Sequence, residues 1–150
     1  MAELRRVVVI SDTHDRVLPE VLEQLRGSDL VLHVGDVCGP GALEELSRVA
    51  PLLAVRGNND WELDTLPMER RVDLNGVRVA MVHIPPRRAP RACDWLLVGH
   101  THQPMDEMRD GVRWINPGSA GLANKGAPKS LLLLDWDGGA WVVRLHVLNS

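Results

Sequence analysis

The sequence predicts an α/β fold in which two β-sheets lie face to face with helices outside them. Three observations carry that prediction. The first 55 residues alternate β-branched runs with leucines and valines at helical spacing. From Arg71 onward, strand-like runs are paired across short turn signals, Asn75-Gly76, Asp110-Gly111 and Gly138-Gly139. The chain has 150 residues, 45% hydrophobic and 25% charged, the size and balance of one domain spanning residues 1–150. A single doubly wound sheet would keep alternating to its end. Here βαβαβ gives way to antiparallel pairs, which suits two sheets stacked on each other.

The elements follow in order. Val7 to Ile10 is a β-branched run and reads as a buried strand. Val17, Leu18, Val21, Leu22 and Leu25 recur at helical spacing, and Gly27 stops that helix. Leu30 to Val34 is the second strand, and Gly35 to Gly41 a glycine-rich loop. Leu43, Leu46 and Val49 mark a second short helix before the third strand, Leu52 to Val55. Gly57 to Asp60 is a loop. Arg71–Leu74 and Val77–Val82 form a hairpin, Pro85 to Pro90 an irregular basic stretch, and Trp95–Val98 another buried strand. Two further hairpins pair Met105–Arg109 with Val112–Ile115 and Ser130–Trp136 with Trp141–Val147.

Composition excludes several classes. The longest apolar runs, such as Val7–Ile10, are four residues, whereas a membrane-spanning helix needs about 20. MAELRR leads straight into a strand, so no signal peptide is expected. Two cysteines, Cys38 and Cys93, make no disulfide scaffold and point to reduced thiols and a cytoplasmic protein. A net charge of −3 does not suit a nucleic-acid partner. Phe and Tyr are absent while Trp occurs five times, so the core must lean on Leu and Val with Trp as its aromatic.

The chemistry sits just after the strands. Asp12 and His14 follow the first, Asp36 the second, Asn58 the third, His83 the fifth, and His100 and His102 the sixth. In open α/β sheets, ligands gather at the carboxyl ends of strands, so residues nearly 90 apart in sequence can converge there. Asp12, Asp36 and Asn58 offer oxygens, and the four histidines offer imidazole nitrogens. Alternate positions in Asp12-x-His14 and His100-x-His102 point to one side of an extended chain. Seven mixed donors are too many for one tetrahedral ion and suit two ions sharing a carboxylate. Such a pair can generate hydroxide and clamp a phosphoryl group.

These blocks resemble the calcineurin-like metallophosphoesterase superfamily, whose ordered signature is D-x-H, G-D, G-N-[HC]-[DE], H and G-H-x-H. They stand here as Asp12-Thr13-His14, Gly35-Asp36, Gly57-Asn58-Asn59-Asp60, His83 and Gly99-His100-Thr101-His102. The size and the Asn116-Pro117-Gly118-Ser119 loop are similar to the small single-domain phosphodiesterases of bacteria and archaea. The resemblance implies a four-layer αββα sandwich of two mixed sheets. It implies one metal on Asp12, His14, Asp36 and His102, and another on Asp36, Asn58, His83 and His100, with Asp36 bridging. A hydroxide between two divalent ions would attack phosphorus in line. Manganese is the expected ion, with iron, zinc, nickel and cobalt open. Asp12, Asp36, Asn58 and Asn59 are the expected catalytic residues and a small phosphodiester the expected substrate. A phosphomonoesterase, or a non-catalytic protein-binding scaffold, is the alternative; a homo-oligomer is left open.

Two departures shape the expectation. Many relatives carry His where this chain has Asn59, and that His is the proton donor to the leaving group. Asn cannot donate a proton, and losing general-acid help costs about 10²–10⁴ in rate. A diester preference is expected, with Asn59 binding phosphate. The stretch between His83 and Gly99 is short, and an irregular loop is expected where relatives insert a longer helix. Its Arg87 and Arg88 are candidate phosphate ligands. His33 is read as a packed histidine, His146 as unrelated to the site, and Asp60 as a residue that orients a ligand.

Overall fold

A computed structural model describes residues 3–123 and 126–149. Among them are ten strands and two helices in the order β1(Arg6–Ile10), α1(Pro19–Leu25), β2(Leu30–His33), α2(Pro40–Ser47), β3(Leu52–Ala54), β4(Glu69–Leu74), β5(Val77–Val82), β6(Trp95–Leu97), β7(Met105–Arg109), β8(Val112–Asn116), β9(Ser130–Trp136) and β10(Trp141–Val147). The first sheet runs β10-β9-β1-β2-β3 and the second β4-β5-β6-β8-β7. In the first, β1, β2 and β3 are parallel, with β9 antiparallel to β1. In the second, β5, β6 and β8 are parallel, with β4 and β7 antiparallel at the edges. No described helix is long and apolar enough to cross a membrane.

Strand alternation builds the layers. Val7 and Val9 of β1 turn into the space between the sheets, where they meet Leu32, Leu134, Met81, Leu97 and Ile115. Val8 and Ile10 turn outward to Val21, Leu25 and Leu46 of the two helices. The second sheet's outer face, with Ala80, Leu96, Val98 and Trp114, carries no helix among the described residues. The irregular segment through Ala89 and Cys93 covers it, as the short spacing after His83 leads one to expect.

Boundaries move for local reasons. The spacing starts the first helix near Val17, but Leu18 precedes a proline and is extended (ψ 140°), so α1 begins at Pro19. Pro40 likewise starts α2 inside the predicted loop. The strands β2, β3 and β6 each stop one residue early, as the chain leaves the sheet to turn toward the rim. Asn75 and Gly76 both have positive φ (51° and 94°), as a two-residue hairpin turn of the primed kind requires.

Candidate metal centre

The parallel strands of both sheets deliver their carboxyl ends to one rim. The loops after β1 and β2 leave side by side, with Asp12 N–H donating to Gly35 O (2.9 Å) and His14 N–H to Asp36 O (3.0 Å). Asp12, His14, Asp36, His100 and His102 all have positive φ, between 49° and 70°. That region is uncommon for residues with a Cβ, and strain of this kind collects at functional sites. Gly57 is needed for contact: a Cβ there would lie 2.2 Å from both the amide nitrogen and Oδ1 of Asp36.

Asp12 is at the centre and fully buried. Its Oδ1 lies 3.3 Å from His102 Nε2 and 3.7 Å from both His14 Nε2 and His83 Nε2. Its Oδ2 accepts from Ser11 Oγ (2.6 Å) and from the His100 N–H (3.1 Å). Asp36 Oδ2 lies 3.3 Å from His83 Nε2 and 3.7 Å from His14 Nε2. Two donor sets are compact enough to hold an ion: Asp12, His14 and His102, and Asp12, Asp36 and His83. The His100 ring meets His83 edge to face at 5.3 Å. His100 and Asn58 line the cleft of about 220 Å³ above these sets, together with Asn59 and Leu122.

The donor chemistry fits a cation. Asp12 Oδ1, His14 Nε2 and His83 Nε2 are buried polar atoms with no hydrogen-bond partner, an arrangement that is costly unless an ion completes it. His83 Nδ1 lies 2.8 Å from Val34 O, which fixes the proton on Nδ1 and turns a bare Nε2 inward. Burial acts to raise the pKa of both carboxyls. The His14 imidazole and nearby His83 outweigh it at Asp12, and His83 with the Asn59 N–H groups outweighs it at Asp36, so both fall below the ordinary range. The Asp12 carboxylate raises His14. At His83 burial acts downward, but Asp36 and Asp12 prevail and raise it. Both aspartates are therefore anionic donors at neutral pH.

A second ring of residues fixes these donors. Buried Asp60 accepts from the backbone N–H groups of Asp36 (2.9 Å), Gly57 (2.7 Å) and Cys38 (2.5 Å). Asn59 donates its backbone N–H and its Nδ2 to the two oxygens of Asp36, both at 2.9 Å. It therefore grips a donor, a role its position in the motif does not reveal. Ser119 Oγ donates to Asp12 O (3.0 Å), and Asn116 Nδ2 to Gly99 O (3.1 Å). His33 is wholly buried, pairs with Thr13 Oγ1 (3.1 Å) and accepts the Gly35 N–H (3.1 Å). Burial pushes its pKa down to about 4. Burial, reinforced by Asp60 and Asp36, pushes Cys38 up to about 12, so it stays a thiol.

Arg87 and Arg88 depart from expectation. They line a different groove, with Arg109 and Trp114, and not the cleft over the histidines. The segment carrying them folds over the outer face of the second sheet instead of the rim. His146 is also apart from the site, 3.4 Å from Glu20. A larger cavity, about 520 Å³, is lined by Glu3, Leu4, Leu30, Asp73, Asn75 and Trp136, at the opposite ends of β1 and β2. Its carboxylates, Glu3 and Asp73, join no histidine, and the compact donor groups among the described residues lie at the other rim, so chemistry and not size identifies the candidate centre.

Comparison with known proteins bears on the family and the fold. The calcineurin-like phosphoesterase superfamily domain matches residues 6–139. A probable metallophosphoesterase of Methanothermobacter thermautotrophicus is 35% identical over 148 residues, covering 87% of this chain and 85% of the relative. The phosphodiesterase YfcE of Escherichia coli is 30% identical over 166 residues, covering 89% of each. Among solved structures, wild-type Vps29 of Entamoeba histolytica complexed with Zn²⁺ has a TM-score of 0.74 at 22% identity, over 96% of this chain and 99% of that one. At that identity the likeness is one of fold.

Proposed function

This chain belongs to the calcineurin-like phosphoesterase superfamily, and from that membership we propose that it is a phosphodiesterase working with two divalent ions. The observation that carries the reading is the pair of adjoining donor sets, Asp12 with His14 and His102, and Asp36 with His83, around the buried, unpartnered Asp12 Oδ1. We assign Asp12, His14, Asp36 and His102 to one ion and Asp36, Asn58, His83 and His100 to the other. When bound, the ions would supply Lewis acidity at the phosphoryl oxygens and a water ionised at neutral pH. Manganese is the proposed ion; the mixed oxygen and nitrogen set also suits iron, zinc, nickel or cobalt.

The protein's own work is positioning. Val34 O orients His83, Asn59 and Asp60 orient Asp36, and Ser119 anchors the backbone of Asp12. The cleft is small, so it suits a compact phosphoester. Asn59 has no proton to give a leaving group, and its amide is engaged with Asp36. That supports diesters with acidic leaving groups over monoesters. The free thiols Cys38 and Cys93 support a reducing, cytoplasmic setting.

The test is hydrolysis of bis-p-nitrophenyl phosphate and p-nitrophenyl phosphate by manganese-loaded protein. The expected result is turnover abolished by chelation, restored by the metal, and a higher kcat/KM on the diester. A higher kcat/KM on the monoester would overturn the diester reading. No turnover of either by fully loaded protein would leave the scaffold reading.

A further inference from the structure

The segment after β5 and the β7–β8 hairpin meet over the outer face of the second sheet, leaving a groove of about 300 Å³ between them. Arg87 and Arg88 come from the segment, Arg109 and Asp110 from the hairpin, and Trp114 of β8 lines it as well. Several features set this groove apart from ordinary basic surface. Arg87 and Arg88 are exposed and have no hydrogen-bond or ion-pair partner among the described residues, whereas Arg6, Arg78, Arg113 and Arg144 are each paired with an aspartate. Trp114 is 3% exposed, yet its indole N–H is buried without an acceptor. A donor left in that state is destabilising unless something completes it. The Arg109 guanidinium lies 4.6 Å from the Trp114 ring centroid and is paired with Glu107. That pairing fixes a flat, stackable surface at the groove. Asp110 is the carboxylate of the lining, and it offers an acceptor.

We propose that this groove is a second binding site, for a small nucleotide. Arg87 and Arg88 hold the phosphate, since paired guanidinium groups are suited to its oxygens. Ala89, Pro90 and Val112 provide an apolar wall for the flat base. Trp114 lines the groove, so its indole reports on a ligand there, and Asp110 accepts a hydrogen bond from an amino or hydroxyl group. Two unpaired guanidinium groups outweigh one carboxylate, so the groove is net cationic and favours an anion. Arg87 follows His83 by only four residues, so the site adjoins the metal centre in sequence without sharing its residues.

The experiment reads the Trp114 indole ¹H–¹⁵N cross-peak in metal-free protein titrated with adenosine 5′-monophosphate, the peak being identified by its loss in Trp114→Phe. Metal-free protein makes the result independent of hydrolysis at the other site. The expected result is a saturable shift of that peak. Arg87→Ala/Arg88→Ala, two exposed positions whose loss spares the fold, should weaken binding at least about tenfold. Adenosine without its phosphate, and inorganic phosphate without the base, should each bind at least about tenfold more weakly than the monophosphate. A peak that does not move, or that moves equally in the double variant, would overturn the site. Equal binding of inorganic phosphate would overturn the nucleotide assignment.

Discussion

Replacing Asp60 by Asn changes one oxygen for an amide nitrogen and leaves the shape almost intact. In the native protein the two carboxylate oxygens accept three backbone N–H groups, from Asp36, Gly57 and Cys38, at 2.5–2.9 Å. Hydrogen bonds to a charged group contribute about 1.5–3 kcal/mol each. With the amide oxygen facing Asp36 and Gly57, two of these become neutral and weaker. The amide nitrogen then faces the Cys38 N–H, donor against donor, and that bond is lost outright. The expected destabilisation is about 2–4 kcal/mol. For a chain of this size that lowers Tm by roughly 4–16 °C. Thermal unfolding in EDTA is the assay, since chelation removes any contribution from bound metal. A second measurement follows the centre: metal affinity should fall about 10–100-fold, because the anchor on the Asp36 amide is weakened and the loop beyond it, at Cys38, is released. A Tm within about 1 °C of wild type, with metal affinity unchanged, would refute the reasoning.

Three other predictions follow from the same geometry. Gly57→Ala should abolish metal binding and turnover, checked by calorimetry, because a Cβ 2.2 Å from Asp36 must push that residue away. His33 contributes stability that is present above pH 6.5 and lost as pH falls toward about 4: the unfolded chain takes up a proton there that the buried ring refuses. Urea unfolding in EDTA should show the wild type losing about 2 kcal/mol more than His33→Gln between pH 7 and pH 5; parallel losses would count against a neutral buried ring. Manganese at about 100 times its Kd should stabilise the wild type by about 2.7 kcal/mol, read as a raised Tm, and leave Asp12→Ala unshifted.

Much of this was legible because the signals are local. Runs such as Val7–Ile10, and turns such as Asn75-Gly76 and Asp110-Gly111, declare themselves within a few residues. The donors were legible for a related reason: each stands just past a strand, and the fold class brings strand ends together. What escaped the sequence depends on contacts between distant segments. Asp60 reads as orienting a ligand, but the means cannot be read the same way: it accepts three backbone amides, two of them 22 and 24 residues away. Asn59 occupies a catalytic position in the motif, but its grip on Asp36 follows from the packing of two loops. Arg87 and Arg88 follow His83 closely in sequence, and that proximity suggested a shared site. The chain instead crosses the sheet's outer face, where Trp114 waits on a different strand.

The number of ions held by each chain tests the central claim most directly. Manganese-loaded protein, freed of excess metal and analysed by mass spectrometry for metal content, should carry two ions per chain. Asp36→Asn, which removes the carboxylate assigned to both, should carry one at most while keeping its fold in EDTA. A wild-type chain that retains a single ion, or an Asp36→Asn chain that retains two, would contradict the account.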